Sequence, residues 1–151
     1  MIIRRATEAD LPTIIALLND DEIARSREGF APEITQQTRE AFEEIAKDPN
    51  NEILVGELNG ELIATMQLTI IPGLSRNGMR RGLIEAVRVR ADQRSKGLGA
   101  TFMKHVIERA RERGCGMVQL TTDVRRIAAQ RFYVKLGFEP SHVGMKLKLT
   151  K

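Results

Sequence analysis

Arg94, Gly97 and Gly99 stand in the stretch DQRSKGLGAT (92–101), and their spacing suits the holding of an anion. The stretch joins a strand-like run, LIEAVRV (83–89), to a helix-like run that begins near Leu98. The first amides of a helix have no acceptor inside it and carry the positive end of its dipole. That end of a helix attracts phosphate. Glycine allows close approach to the backbone, and Arg94 with Lys96 adds positive charge. Taken alone, the pattern fits an idle strand-to-helix turn equally well. It is not the dinucleotide fingerprint, because Phe102 occupies the position of the third glycine. It is not a P-loop, which requires Gly-Lys-Ser/Thr after four spacer residues.

Glu85 lies in the strand that feeds this turn, on the nominal face of Val87 and Val89. A carboxylate there serves either as a general base, directly or through water, or as the partner of a nearby arginine. A bulge in the strand would break that face count. Other polar residues point to less. His105 is expected exposed in mid-helix, His142 in a loop, and Cys115 in a structural position behind a helix-capping glycine. Arg76, Arg80 and Arg81 form a basic loop, either solvated or steering an anion, and Asp20, Asp21 and Glu22 follow the first helix, where they could meet an amine's charge.

The elements that must position these residues follow from pattern and punctuation. IIRRA (2–6) reads as a strand, and Thr7 with Asp10 can cap a helix through LPTIIALLN, with Ile14, Ile15, Leu17 and Leu18 inward. Residues 20–33 read as irregular. A helix is expected from about Gln36 to Lys47, with Ala41, Phe42, Ile45 and Ala46 inward, stopped by Pro49. EILVGEL and ELIATMQLTII flank Asn59-Gly60, a hairpin signal of the type I′ kind. A loop (72–82), the strand LIEAVRV, the long helix ending at Gly114, the strand MVQLTT (117–122), a short helix closed by Gly137 and a final alternating strand, VGMKLKL (143–149), complete the order. This predicts a mixed α/β fold, β-α-α-β-β-β-α-β-α-β, as a single domain over 1–151.

Composition narrows the class. Of 151 residues, 42% are hydrophobic and 29% charged, an ordinary globular balance, and the scarcity of aromatics makes the expected core aliphatic. The net charge of +4 mildly favours anionic ligands. One cysteine excludes an internal disulfide, and two histidines with one cysteine make a dedicated zinc site unexpected. No apolar run is long enough to span a membrane, and the N-terminus lacks a signal-peptide core. A cytoplasmic protein is expected. Dispersed charge and few stacking aromatics argue against a nucleic-acid partner.

Arg94-x-x-Gly97-x-Gly99 between a strand and a long helix resembles the acetyl-coenzyme A signature of the GNAT N-acetyltransferase superfamily. The segment from Ala129 to Phe138, AQRFYVKLGF, resembles the closing helix of that family, and IIRRATEADLPTIIALL its first strand and helix. The tail from Thr121 is also similar to aminoalkylphosphonate acetyltransferases. The likeness covers nearly the whole chain.

The resemblance implies a mostly antiparallel central sheet, flanked by helices and splayed at its middle strands. It implies acetyl-CoA as cosubstrate, no metal, direct transfer to a primary amine of a small molecule or peptide, and a possible homodimer. By that likeness the backbone of Val87, Arg88 and Val89 meets the pantetheine, and an N–H near Val87 donates to the oxyanion. Arg94, Ser95, Lys96, Gly97, Leu98, Gly99 and Ala100 cradle the pyrophosphate. Tyr133, the chain's one tyrosine, matches the general acid of the family, although a core aromatic beside Phe132 is the plainer alternative. Arg126 stands where the family often has an Asn that helps hold the cofactor arm. The competing function is a CoA-binding sensor or interaction module without catalysis.

Overall fold

A computed structural model describes residues 1–149, and the chain divides into a unit spanning Met1–Gln119 and a second beginning at Leu120. The first unit opens with β1 (Ile2–Arg5) and a 3-10 turn (Glu8–Asp10) that leads into α1 (Leu11–Leu18). Thr7 and Asp10 form a capping box, in which the Thr7 amide donates to Asp10 Oδ2 at 2.7 Å. Leu11, Ile14 and Leu17 bury one face of α1. A short helix, α2 (Glu22–Arg25), sits where sequence reading expects irregular chain; Asp21 caps it by accepting from the Ala24 amide at 2.6 Å.

Helix α3 (Gln36–Lys47) begins at a Thr35 cap and ends before Pro49, as expected. Its packing is looser than expected. Ala41 and Ala46 are exposed, and Phe42 and Ile45 are only half-buried. Phe42, Ile45 and Ala46 instead line a cavity of about 250 Å³ with Arg5, Ala6, Glu52 and Ile53.

β2 (Asn51–Leu58) and β3 (Glu61–Ile71) form the expected hairpin, with Asn59 and Gly60 at positive φ of 53° and 80°. A single turn, α4 (Ser75–Gly78), contains left-handed Arg76 and Asn77 and leads into β4 (Arg80–Val89). This strand starts three residues before LIEAVRV, because Arg80 pairs with β5, and Arg81 and Gly82 pair with both β3 and β5, despite their loop-like composition. A 3-10 turn (Ala91–Gln93), the long α5 (Leu98–Glu112) and β5 (Cys115–Gln119) complete the unit. β5 lies two to three residues earlier than the MVQLTT run, since Gly114, at φ 79°, turns the chain straight into pairing with Arg80.

The sheet runs β1-β2-β3-β4-β5, antiparallel except for the parallel β4–β5 pair. Pairing of β4 with β5 ends at Leu83 and Gln119, so Ile84 to Val89 have no β5 partner. The expected splay is this parting of the two strands. On the other side of β4, Gln67 pairs with Glu85 but Thr65 pairs with Arg88, so Ala86 and Val87 together oppose Met66. Ala86 has φ 54°, the mark of a bulge.

Cross-strand partners share a face. The register therefore puts Glu85 on the face of Arg88, and sends Val89, the partner of Ala64, to the opposite face. The expected common face for Glu85, Val87 and Val89 is thus corrected by one inserted residue. Met66, Leu68, Ile70 and Ile84 are buried against the face that α5 covers with Phe102, Met103, Val106 and Ala110.

The second unit holds α6 (Ile127–Lys135), closed by Gly137 at φ 97°. The Phe138 amide donates to the Tyr133 carbonyl at 3.0 Å and the Gly137 amide to that of Val134 at 3.0 Å, a Schellman ending. The strand expected over 143–149 does not form. A strand needs a neighbour for its amides and carbonyls, and α6 is the one regular element of this unit among the described residues.

Candidate functional site

The turn after β4 is braced at its base and open at its tip. The Arg90 amide donates to the Ile63 carbonyl at 2.8 Å. Its guanidinium reaches Asp92 at 2.6 Å and Glu61 at 3.0 Å, which fixes the turn to the start of β3. The hydrogen bond from Arg90 holds the Asp92 carboxyl below the usual carboxylate range. Arg94 folds back so that Nε donates to the Val89 carbonyl at 2.9 Å, tying the first basic residue of the motif to the end of the strand.

From Ser95 onward the backbone presents donors. Ser95 has φ 61° and Gly97 φ 79°, so the chain turns twice through the left-handed region before α5 begins. The first hydrogen bond that closes the helix runs from Thr101 to the Gly97 carbonyl at 3.1 Å. Among the described residues the amides of Ser95, Lys96, Gly97, Leu98, Gly99 and Ala100 have no acceptor. Nothing lies within 4 Å of where a Cβ on Gly97 would stand. Ser95, Lys96 and Gly97 are exposed, so a phosphate has both the donors and the space.

Val87, Arg88 and Val89 lie in the half of β4 that has parted from β5. Arg88 also makes side-chain contacts of its own. Its Nη1 donates to the Val87 carbonyl at 2.8 Å, inside the bulge, and its Nε lies 3.8 Å from Asp21 Oδ2. Asp21 caps α2 with the same carboxylate. A link therefore runs from the α2 N-terminus through Asp21 and Arg88 to the bulge. Sequence reading placed Asp21 near the acceptor side but missed this link; the capping pattern of an aspartate three residues before Ala24 was its one legible sign.

Glu85 is exposed, and no ion pair or hydrogen bond joins its side chain to another described residue. Arg81, near it on β4, donates to Gln119 at 3.1 Å instead. Tyr133 belongs to the second unit, half-buried in α6, with edge contacts to Phe132 at 5.3 Å and Phe138 at 5.7 Å between ring centroids. Arg126 is the N-cap residue of α6. Burial pushes the Cys115 thiol up, and it is half-buried. His105 is exposed in mid-helix, and His142 accepts from or donates to Ser141 at 2.7 Å in an exposed segment. Among the described residues no cluster of His, Cys, Asp or Glu suits a metal ion, and no helix is long and apolar enough to cross a membrane.

Residues 12–138 match the model of the acetyltransferase (GNAT) family. The chain is 26% identical to an aminoalkylphosphonate N-acetyltransferase of Salmonella typhimurium over 145 residues, 93% of this chain and 86% of that protein. It is 30% identical over 149 residues to an L-methionine sulfoximine/L-methionine sulfone acetyltransferase of Pseudomonas aeruginosa, covering 95% of this chain and 86% of that one. A solved structure from Bacillus halodurans C-125, described as a transcriptional regulator, superposes with a TM-score of 0.92 at 42% identity, covering 98% of this chain and 99% of that one.

Proposed function

The chain belongs to the acetyltransferase (GNAT) family, and from that premise we propose how its residues carry an acetyl group from acetyl-CoA to a primary amine. It is an N-acetyltransferase, and we read 1–151 as one catalytic domain, since the family match runs through both units without a break. The observation that carries the cofactor assignment is the row of six unclaimed amides, Ser95 to Ala100, around an open Gly97. These amides, with Arg94 and Lys96, hold the pyrophosphate. Val87, Arg88 and Val89 offer backbone groups to the pantetheine where β4 has lost its β5 partner.

Acetyl-CoA supplies the acyl thioester; the chain supplies positioning and proton transfer. A free alkyl amine has a pKa of about 10.4, so the acceptor must lose a proton before attack. Glu85, exposed and unengaged beside the bulge, takes it, directly or through water. A backbone N–H near Val87 donates to the developing oxyanion. Tyr133 gives the proton that the departing thiolate needs. The acceptor is a primary amine of a small molecule or peptide. The enzyme works in the cytoplasm, as a homodimer, without nucleic acid.

Thiol release from acetyl-CoA over a panel of amines tests the reading. The panel includes aminoalkylphosphonates and methionine sulfone, because relatives carry those names. Turnover on one class supports it. Tight acetyl-CoA binding with no turnover on any amine supports the second reading, a CoA-responsive regulator, which the Bacillus halodurans structure keeps open by its description.

A further inference from the structure

Helix α3 does not fully cover the strands it packs on. Phe42 and Ile45 sit on its apolar side, yet both are only half-buried. With Ala46 they wall the cavity of about 250 Å³ whose other side is Arg5, Ala6, Glu52 and Ile53. Apolar walls with nothing opposite them forgo their dispersion contacts. The polar groups there are unevenly engaged. Glu52 is 2% exposed and accepts two bonds from Arg109, at 2.8 and 2.9 Å, so its charge is met inside the fold. Arg5 is different. Its side chain is 56% exposed and its Nε stands 3.5 Å from Glu52 Oε2. Its Nη2 donates one long bond, 3.4 Å, to the Asn51 carbonyl, and its Nη1 has no hydrogen-bond acceptor among the described residues. A guanidinium carries five donors in a planar fork, so most of this one is unused.

Charge around the cavity is lopsided in the same direction. Arg5, Arg109 and Arg113 all bear on Glu52, while Glu112 bears on Arg109, so the cations outnumber the carboxylates that answer them. Asp48, just past α3, turns its carboxylate to the Asn50 amide at 2.8 Å. We propose that this cavity is a second ligand site, which takes a small carboxylic acid with an aromatic or branched apolar body. The carboxylate meets Arg5 at the mouth, and the body lies on Phe42, Ile45 and Ile53. A carboxylate matches the guanidinium fork in charge and in shape. An amine would instead face Arg5 and find Glu52 already taken. A cavity of about 150 Å³ holds one benzene molecule; the larger space here admits one ring and a short acid-bearing arm. No lining residue belongs to β4, to the turn after it or to α6. The site is therefore separate from the one read as binding acetyl-CoA and does not rest on that reading.

Methyl NMR on isoleucine-labelled protein tests this, with phenylacetate as the probe and phenylacetamide as its uncharged counterpart. Phenylacetate should shift the Ile45 and Ile53 signals with a Kd below about 1 mM, within reach of a compound of this size. Phenylacetamide should bind at least about tenfold more weakly. Arg5→Gln should weaken phenylacetate by a similar factor and leave phenylacetamide unchanged. Arg109 still pairs with Glu52 in that variant. The comparison of acid with amide on the wild type needs no variant, so it stands even if Arg5→Gln fails to fold. Saturating acetyl-CoA should not displace the probe. Silence at Ile45 and Ile53 up to about 10 mM phenylacetate overturns the site. Equal binding of acid and amide overturns it too, as does an Arg5→Gln variant that binds phenylacetate undiminished. A probe that acetyl-CoA displaces, and that shifts Ile84 rather than Ile45, belongs to the acetyl-transfer site and removes the second one. Thiol release, measured alongside, reports separately on the enzymatic reading.

Discussion

Gly97 meets two demands at once, a φ of 79° and empty space beside its α-carbon. Valine there is strained by roughly 1–3 kcal/mol and fills the space meant for phosphate. Gly97→Val should therefore weaken acetyl-CoA binding by at least about tenfold, measured by calorimetry; unchanged affinity would remove the loop from the cofactor site. Tyr133→Phe should lower kcat well beyond its effect on acetyl-CoA affinity, with about 10²-fold expected for a lost general acid. Full activity across the pH range would leave Tyr133 a packing residue between Phe132 and Phe138. Glu85→Gln should flatten the ascending limb of the pH–rate profile, and an unaltered limb would point to a different base. The loop glycines were legible in the sequence because local backbone demands leave local marks. The Asp21–Arg88 link was not, because its two ends lie far apart in sequence.

At the level of elements, the bulge in β4 governs which way Glu85 and Arg88 face. Ala86 holds a left-handed φ of 54° that costs an L-residue roughly 1–2 kcal/mol. Ala86→Gly relieves that strain but adds freedom to the unfolded chain, about 0.4–1 kcal/mol, so stability should change little. Ala86→Val should destabilise by more than about 1 kcal/mol in urea unfolding and lower activity with it, since a β-branched residue is a poor occupant of that region. A valine that folds and turns over normally would mean the bulge is incidental. The hairpin and the helices α1 and α3 were readable in advance, from the Asn59-Gly60 dipeptide, from Thr7 with Asp10, and from an apolar pattern stopped by Pro49. The bulge was not, because alanine gives no sign of positive φ. The early start of β4 was hidden for a related reason: Arg80, Arg81 and Gly82 look like loop until their partners in β3 and β5 are known.

Across the whole molecule, arginine–carboxylate clusters tie the ends of the first unit together. Arg4 hydrogen-bonds Asp10 at 2.7 and 2.9 Å and lowers its carboxyl from 3.8 to about 2. Glu52, buried in β2, receives two bonds from Arg109 of α5 at 2.8 and 2.9 Å. Burial pushes the Glu52 carboxyl up, but Arg109, with the charges of Arg5 and Arg113, outweighs burial and holds it low. Carboxyls depressed in the folded state stabilise above their unfolded values and lose that contribution as pH falls through the folded ones. For Asp10 the window runs from 3.8 down to about 2. Asp10→Asn should melt below the wild type at pH 7, and the two Tm curves should converge across that window. Parallel curves would show that the pair adds nothing to acid sensitivity. Glu52→Gln should cost about 1–3 kcal/mol at neutral pH, the range for a hydrogen bond to a charged group. The order of elements and the family were legible from motifs spread along the chain, whereas the lack of a strand over 143–149 was not, since alternation suits a strand but does not supply its neighbour. Gly82 carries a consequence of another kind. A Cβ there would stand 3.2–3.3 Å from Ala110, Val118 and Leu68, at the far end of α5 from its loop. The helix is a rigid lever about 20 Å long between Ala110 and Gly97. A methyl wedge under one end tips the other, so on the proposed cofactor site acetyl-CoA affinity can be retuned, gradually and by selection, from a residue outside that site.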